Sequence, residues 1–301
     1  MAAFAETVQS QADAADRSQE PLAIICGSGP LPFAVADAAR RQGRDVFLIA
    51  LAGWTESASL ECYPHAWVNL GQFGRVWRLA RQAGCRDILC IGGIVRPSIR
   101  SLRLDWQTVR LLPRIYRLFR GGDDHLLSGL GRIFEEQGFR AVAAQDIAPD
   151  IVVPAGVLSR RQPTTAEADD IAYGFALLDA IGPFDVGQAV VVFERRVLAV
   201  EAAEGTDQML ARVAQLRANG RINLPAGRGV LVKAPKPQQD RRYDLPSIGP
   251  TTVEMTGAAG LAGVAVRAGG VIAVDPIAMT AAADRDGLFV VSMNAAAAAP
   301  P

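Results

Sequence analysis

The chain has few of the residues that build nucleophilic and zinc sites. Its 301 residues include two histidines and four cysteines, and none of the cysteines (Cys26, Cys62, Cys85, Cys90) belongs to a Cys-x-x-Cys pair. This composition predicts neither a zinc site nor a disulfide framework. The sequence also shows no Ser/His/Asp or Cys/His constellation that is typical of nucleophilic catalysis.

Net charge and long hydrophobic runs are missing as well. The 31 basic and 31 acidic residues leave a formal charge of zero, so no nucleic-acid partner is predicted. The sequence contains no apolar run of about 18 residues, which argues against a transmembrane helix. Because no signal peptide is visible, we expect a cytoplasmic location, and contact with a membrane surface stays open.

The length suits two domains, because typical domains contain about 100–150 residues. We predict an α/β fold with a Rossmann-like parallel-sheet domain over residues 21–153 and a mixed-sheet catalytic α/β domain over residues 154–294. We expect residues 1–20 to be a disordered leader and residues 295–301 to be a low-complexity tail.

The N-terminal half begins with a β-turn-α-β pattern. The apolar run Leu22–Cys26 predicts a buried parallel strand, and Gly27-Ser-Gly29-Pro-Leu31-Pro follows it before a helix over residues 33–40. Backbone N–H groups of such a turn can face a phosphate. The third glycine of the dinucleotide motif is absent, and no acid ends the next strand, so NAD binding is only weakly indicated. A nucleotide or sugar phosphate and a purely structural turn are both open.

A second glycine-rich segment follows the strand predicted over residues 87–91. It runs Gly92-Gly93-Ile-Val-Arg96. Ligands of open parallel sheets bind outside the carboxyl ends of the strands, so both segments are expected at one edge. Arg96 would then be available to an anionic group.

Residues 96–120 carry seven arginines and one acid, Asp105. Apolar side chains, including Trp106 and Phe119, recur between them at roughly helical spacing. This pattern is typical of an interfacial membrane helix or a lipid-binding wall, although an ordinary surface helix shares it. Pro113 predicts a break or kink. Asp123 and Asp124 then cap the next helix, and a role for this pair in binding is open.

The C-terminal half combines helices with a hairpin. Thr164, with Glu167 three residues later, predicts a helix start. Apolar runs over residues 189–193 and 197–202 flank Glu194-Arg-Arg196 and predict a β-hairpin, which indicates a mixed sheet.

Mixed-sign charges crowd the segment from Glu201 to Thr252. Asp240, Arg242 and Asp244 alternate there, and alternate residues of an extended segment project to one face. Two carboxylates and a guanidinium on one face could hold a divalent cation against a phosphate. A solvated charged loop is the alternative.

These motifs, in this order, resemble one family. The N-terminal half carries G-S-G-P-L-P, I-G-G-I-V-R-P, G-D-D-H-L-L and Q-D-I-A-P-D. The C-terminal half carries D-V-G-Q-A-V-V-V, V-L-A-V-E-A-A-E-G-T-D, the segment from L-V-K-A-P-K-P to S-I-G-P-T-T, and A-G-L-A-G-V-A-V. Together they resemble the LpxI-type UDP-2,3-diacylglucosamine pyrophosphatases of lipid A biosynthesis over residues 21–293.

The resemblance implies a hydrolase that uses Mg²⁺ to split the pyrophosphate of UDP-2,3-diacylglucosamine. The products would be UMP and 2,3-diacylglucosamine 1-phosphate (lipid X). It further implies a homodimer at the inner face of the cytoplasmic membrane, as a peripheral protein.

Site residues follow from the motifs as expectations. The catalytic candidates are Asp244, Asp240, Arg242, Lys233 and Lys236. The metal-ligand candidates are Asp244, Asp240, Glu204 and Asp207. The substrate-binding candidates are Gly27, Gly29, Leu31, Gly93, Arg96, Asp123, Asp124, Gln188, Thr206 and Thr251.

Two other functions are open. A non-catalytic nucleotide or lipid carrier would use the same groups without cleavage. An NAD(P)-dependent oxidoreductase would fit the β-turn-α start but lacks the expected acid after the second strand.

Overall fold

A computed structural model describes residues 20–94, 102–119, 123–243 and 245–294. It divides the chain into two compact units. The first contains Met1–Pro149 and Arg242–Asp244, and the second contains Asp150–Arg241 and Leu245–Pro301. No helix within the described ranges is long and apolar enough to cross a bilayer.

The first unit contains a five-stranded sheet with helices between its strands. Its elements are β1 (Leu22–Cys26), α1 (Leu31–Arg41), β2 (Val46–Leu51), β3 (His65–Val68), α2 (Phe73–Gln82), β4 (Asp87–Ile91), α3 (Trp106–Phe119), α4 (Asp123–Glu136), β5 (Arg140–Ala141) and α5 (Ala144–Ile147). All strand pairs are parallel, in the order β3-β2-β1-β4-β5. The predicted Rossmann-like parallel sheet is therefore confirmed.

Helix α3 differs from its sequence prediction. It continues through Pro113 from Trp106 to Phe119, so the predicted break is absent. Its core face carries Leu111, Ile115 and Leu118, whereas Trp106 and Tyr116 lie on the exposed face. The predicted single apolar stripe was thus wrong, because the aromatic residues lie on the side of the arginines.

The second unit contains a six-stranded mixed sheet. Its elements are β6 (Gly156–Val157), α6 (Thr165–Ile181), β7 (Ala189–Phe193), β8 (Arg196–Val200), α7 (Gly205–Ala218), β9 (Val230–Lys233), β10 (Ser247–Ile248), α8 (Pro250–Ala258), β11 (Gly263–Arg267), β12 (Ile272–Ala273), α9 (Pro276–Asp286) and β13 (Phe289–Met293). Strands β13, β11 and β9 are parallel, and β6, β7 and β8 pair antiparallel in the order β6-β13-β11-β9-β7-β8. Short strands β10 and β12 form a separate parallel pair. The predicted mixed-sheet α/β fold is confirmed.

Local signals fix two parts of this unit. Thr164 and Glu167 form the predicted capping box, in which each side chain accepts from the other residue's backbone N–H. In the turn between β7 and β8, Glu194 and Arg195 have φ of 51° and 57°. Such a turn matches the twist of the two strands. The buried Asp170 carboxylate accepts from both backbone N–H groups, at 3.0 and 2.6 Å.

The charged segment is not extended. Arg241–Tyr243 form a turn, so the premise that Asp240, Arg242 and Asp244 share one face of a strand was wrong. Asp244 itself lies outside the described residues. The short strand β10 that follows was not predicted, because a two-residue strand has no detectable period.

Candidate active site

A cavity of about 420 Å³ lies in the second unit, at the carboxyl end of the central strand β9. The first turns of α7 and α8 and strand β10 surround it. Its lining comprises Glu204, Gly205, Thr206, Asp207, Lys233, Ser247, Ile248, Gly249, Pro250, Thr251, Thr252 and Val274. This location agrees with the rule that ligands of α/β sheets bind beyond the strand ends.

The two helix starts place the positive ends of two helix dipoles at the cavity wall. Unpaired N–H groups and the helix dipole favour anions at a helix N-terminus. Helix α8 begins with Pro250, whose missing N–H costs nothing at that position. Gly249 precedes it, and a Cβ there would press on the Val274 carbonyl oxygen at 3.1 Å.

Lys233 is the cation of this cavity. Its side chain is the last of β9, and the residue is 8% exposed. Its Nζ donates to Thr206 Oγ1 and to the Ser247 carbonyl oxygen, both at 2.9 Å. Thr206 Oγ1 in turn donates to Glu201 Oε1 at 2.8 Å. These bonds fix the ammonium at the cavity wall, where it can neutralise a phosphate.

Two carboxylates share the cavity wall with this cation. Asp207 lies in the first turn of α7, and Glu204 precedes that helix. Arg212 Nη2 donates to Glu204 Oε1 at 2.7 Å. Within the described ranges, no three His, Cys, Asp or Glu side chains are placed together to hold a metal ion. Among the described lining residues, Glu204 and Asp207 carry the carboxylates.

Lys236 is placed differently from Lys233. It is 7% exposed, and its Nζ bonds to Asp185 Oδ1. Its backbone N–H donates to Gln239 Oε1 at 3.0 Å, and Gln238 Nε2 donates to the Gly182 carbonyl oxygen at 2.5 Å. In the described part of the chain, Lys236 is not among the cavity-lining residues. Its pairing with Asp185 anchors the loop after β9.

The end of that loop is assigned to the first unit. Arg242 and Tyr243 belong to the first unit, where Arg242 Nη1 donates to Glu135 Oε1 at 2.8 Å. The Tyr243 ring occupies the space where a Cβ of Gly131 would stand. Asp240 is half-buried, and it is not among the residues that line the cavity in the described part of the chain. Among the described residues, the cavity lining includes neither the predicted Asp240 nor Arg242.

The glycine segments of the first unit meet as predicted. The strand order reverses between β1 and β4, and Gly27 and Gly93 follow these two strands. Ser28 and Gly93 exchange backbone hydrogen bonds of 2.9 and 3.0 Å, and a Cβ on Gly27 would lie 2.6 Å from the Gly92 carbonyl carbon. Gly29 has φ of +89°, which favours glycine. Two glycines thus allow the close approach that shapes this edge.

Several other predicted residues can be placed only in part. Leu31 is the first residue of α1, and the backbone N–H of Gln188 donates to Glu201 Oε2 at 3.0 Å. Arg96 lies outside the described residues. Asp123 and Asp124 open α4, but their side chains are not described.

Sequence reasoning missed Glu201 and Ser247. Glu201 was included only as the start of the charged segment, because its contacts form only when the residue before β7 and the first turn of α7 meet in the fold. Composition gave one signal for this part of the site. Lys233, which bonds Ser247, and Lys236 are the only lysines beside 29 arginines.

Cysteine chemistry is disfavoured by burial. Burial raises the pKa of Cys26 and Cys90 to about 12 and that of Cys85 to about 11. These thiols are therefore protonated at neutral pH and are poor nucleophiles. This agrees with a reaction in which no cysteine attacks the substrate.

Comparisons with known proteins cover both units. The family model of the LpxI N-terminal domain matches residues 21–151, and that of the LpxI C-terminal domain matches residues 154–291. A curated protein of Caulobacter vibrioides (strain ATCC 19089 / CIP 103742 / CB 15), UDP-2,3-diacylglucosamine pyrophosphatase LpxI, is 39% identical over 274 residues. The alignment covers 91% of this chain and 97% of that protein.

Proposed function

This chain belongs to the LpxI family, and we propose that the cavity beside Lys233 is where it acts on its substrate. The reaction is hydrolysis of the pyrophosphate bond of UDP-2,3-diacylglucosamine in lipid A biosynthesis, giving UMP and lipid X. The observation that carries the location is a buried ammonium group between two helix N-termini.

The cavity groups suit phosphoryl transfer. Such reactions need positioning and stabilisation of negative charge more than covalent chemistry. Lys233 and the first turns of α7 and α8 supply positive charge at fixed positions. Thr251, which also lines the cavity, supplies a hydroxyl group for a phosphate oxygen, whereas the predicted substrate-binding residue Thr206 donates its hydroxyl proton to Glu201 Oε1.

The carboxylates of the cavity favour a divalent cation. Glu204 and Asp207 would repel a pyrophosphate unless a cation lay between them. Mg²⁺ is commonly held by one or two carboxylates together with substrate phosphates and water, and two are present here. Bound there, Mg²⁺ would neutralise charge on the transferring phosphoryl group. Glu204 and Asp207 are its proposed protein ligands, and Asp240 and Asp244 remain candidates.

Asp244 remains the first candidate for orienting the attacking water. Asp244→Ala should abolish UMP release while leaving the circular dichroism spectrum and substrate binding close to those of the wild type. Asp169→Ala, an exposed carboxylate on α6, is the control. Normal turnover in Asp244→Ala would rule out a catalytic role.

The glycine edge of the first unit is the proposed site for the nucleotide or sugar-phosphate end. Its support is the topological switch point between β1 and β4 and the backbone N–H groups of the turn before α1. Gly27, Gly29, Leu31 and Gly93 would form it, with Arg96 as the cation.

We also propose that the exposed face of α3 contacts the inner face of the cytoplasmic membrane. Trp106 and Tyr116 are 67% and 61% exposed, and Arg110 stacks on the Trp106 ring at 5.4 Å. Arg117 lies one residue after Tyr116, and helix α3 contains no acid. Aromatic and basic groups on one face suit an anionic lipid surface. Phe119, which was grouped with them, has no described side chain.

We propose that the protein is a homodimer, and the family resemblance is the only ground for this. Sedimentation equilibrium of the purified protein should give twice the mass of one chain. A mass equal to that of one chain at micromolar concentration would contradict it.

The decisive experiment measures the reaction itself. The protein is incubated with UDP-2,3-diacylglucosamine, with Mg²⁺ or with EDTA, and the products are separated by chromatography. We expect UMP and lipid X with Mg²⁺ and neither with EDTA. Substrate binding without UMP would favour the carrier, and a fluorescence change of NAD(P)H on titration would favour the oxidoreductase.

A further inference from the structure

Two buried lysines stand out in a chain that otherwise uses arginine. Lys233 and Lys236 are the only lysines, whereas 29 positions carry arginine. A lysine ammonium is a compact charge that can bond to separate single oxygens, whereas a guanidinium needs a wide planar set of acceptors. Both ammonium groups have partners of this kind: Lys233 Nζ bonds Thr206 Oγ1 and the Ser247 carbonyl oxygen, and Lys236 Nζ bonds Asp185 Oδ1.

Behind Lys233 lies Glu201, to which no role has been assigned so far. It directly follows β8 and is half-buried. Its Oε1 accepts from Thr206 Oγ1 at 2.8 Å, and its Oε2 accepts from the Gln188 backbone N–H at 3.0 Å. In the described part of the chain Glu201 is not among the cavity-lining residues, so it reaches the cavity through Thr206.

These bonds determine the direction of the Thr206 hydroxyl. A threonine hydroxyl has one proton and two lone pairs. Because the proton goes to Glu201, the lone pairs are left for Lys233 Nζ, which donates to this oxygen at 2.9 Å. The result is a directed chain from the Glu201 carboxylate through Thr206 to the Lys233 ammonium.

The backbone holds Glu201 in place for this task. Its N–H donates to the Ala189 carbonyl oxygen at 2.9 Å. A Cβ on Gly187 would collide with the Glu201 carbonyl oxygen, so glycine is needed beside it. The start of β7 and the end of β8 therefore fix the carboxylate against the first turn of α7.

We propose that Glu201 is a positioning residue that, through Thr206, holds Lys233 in the geometry required for charge stabilisation. The proposal rests on the proposed function, because it assumes that Lys233 acts on the substrate phosphate. Glu201 itself does not touch the substrate.

An amide cannot replace this carboxylate. Both partners of Glu201 are donors, and an amide offers one acceptor and one donor group. In Glu201→Gln, the NH₂ group must therefore oppose either the Gln188 N–H or the Thr206 hydroxyl. In the second arrangement the NH₂ group donates to Thr206 Oγ1, so the Thr206 proton loses its acceptor at position 201 and no longer directs a lone pair to Lys233.

The first test compares Glu201→Gln with Glu167→Gln. Glu167 is a buried carboxylate that bonds Arg161 and Thr164 and does not line the cavity as described. Glu201→Gln should lower kcat about 10- to 100-fold with little change in KM, because a displaced catalytic group costs about that much. Glu167→Gln should lower thermal stability without lowering kcat. Thr206→Ser should retain activity, and Thr206→Val should reproduce the loss.

The second test observes the ammonium groups directly. Protein labelled with ¹³C-lysine at Cε gives two side-chain NMR signals, because the chain has two lysines. Lys233→Arg assigns them by removing one. Glu201→Gln should shift the Lys233 signal and leave the Lys236 signal in place, whereas Asp185→Asn should shift the Lys236 signal alone.

The outcomes separate the two proposals. A wild-type protein that releases no UMP refutes the proposed function, and the NMR arm still tests the Glu201–Thr206–Lys233 chain. An active wild type with unchanged kcat in Glu201→Gln overturns the positioning role. An unchanged Lys233 signal in that variant overturns it as well.

Discussion

At the scale of single residues, the structure separates two lysines that the sequence placed in one motif. Both were predicted to be catalytic. Lys233 lines a cavity with two helix N-termini, whereas Lys236 pairs with Asp185 in the anchor of the following loop. Spacing cannot distinguish these roles, because the partners Ser247 and Asp185 come from distant parts of the chain.

Replacement of Lys233 by arginine should not preserve activity. The buried Lys233 Nζ bonds single oxygens of Thr206 and Ser247 at 2.9 Å each, and a longer, planar guanidinium would not reproduce both bonds. We expect UMP release to fall about 100-fold, the loss typical of removing one preorganised charge-stabilising donor. Arg221→Lys, the converse exchange at an exposed position, should be neutral. Wild-type kcat in Lys233→Arg would contradict a specific role for the ammonium.

The buried thiols predict that the stability of the folded protein falls at alkaline pH. Burial raises the pKa of Cys26 and Cys90 from 9.0 to about 12, so the folded state disfavours their thiolates. Their contribution to stability is fully present below pH 9 and is lost as pH rises toward 12, because the unfolded chain ionises first. Urea unfolding should show this decline above pH 9.

At pH 8, a thiol reagent should modify the exposed Cys62 in the folded protein and all four cysteines only after unfolding. Rapid labelling of Cys26 in native protein would contradict its burial.

At the scale of elements, the sequence predicts those helices and strands that have a local signal, such as an apolar run or a capping box. Strands β4 and β11 begin and end where the apolar runs do, and the capping box of α6 is present. The two-residue strand β10 was missed, because its pairing partner is β12 rather than a local neighbour. The alternating charges of residues 240–244 suggested an extended segment, but Arg241–Tyr243 form a turn, and Arg242 and Tyr243 belong to the first unit and contact residues there.

The contact of α6 with the β7–β8 turn can be tested by its effect on the free energy of unfolding. Asp170 is buried and accepts from the backbone N–H groups of Glu194 and Arg195. Asp170→Ala leaves these donors without a partner, so the free energy of unfolding should fall by about 2–3 kcal/mol. The turn lies about 17 Å along the hairpin from Gln188, so kcat of the folded variant should be unchanged. The neighbouring exposed Asp169→Ala is the control and should change stability by less than about 0.5 kcal/mol in urea unfolding. Equal stability of the two variants would contradict the role of Asp170.

At the scale of the whole molecule, element order predicted the architecture well and the site only in part. Alternating strands and helices followed by a hairpin indicated a parallel and a mixed sheet, and both are present. The glycine segments met because the carboxyl ends of β1 and β4 are neighbours in such a sheet. The residues that line the cavity were less predictable, because they come from β9, α7, β10 and α8, which span more than 40 residues of sequence.

The zero net charge of the whole chain makes membrane contact a local property. Binding to anionic lipid must then come from a surface such as α3, where Arg110 and Arg117 accompany Trp106 and Tyr116. The protein should float with vesicles containing phosphatidylglycerol and not with pure phosphatidylcholine, and added salt should weaken the binding. Trp106→Ser/Tyr116→Ser should reduce flotation and hydrolysis of vesicle-embedded substrate, with hydrolysis in detergent micelles unchanged. Ile277→Ser, which removes an apolar side chain that is 83% exposed on α9, should leave flotation intact. Equal flotation of the α3 variant and the wild type would show that another surface meets the membrane.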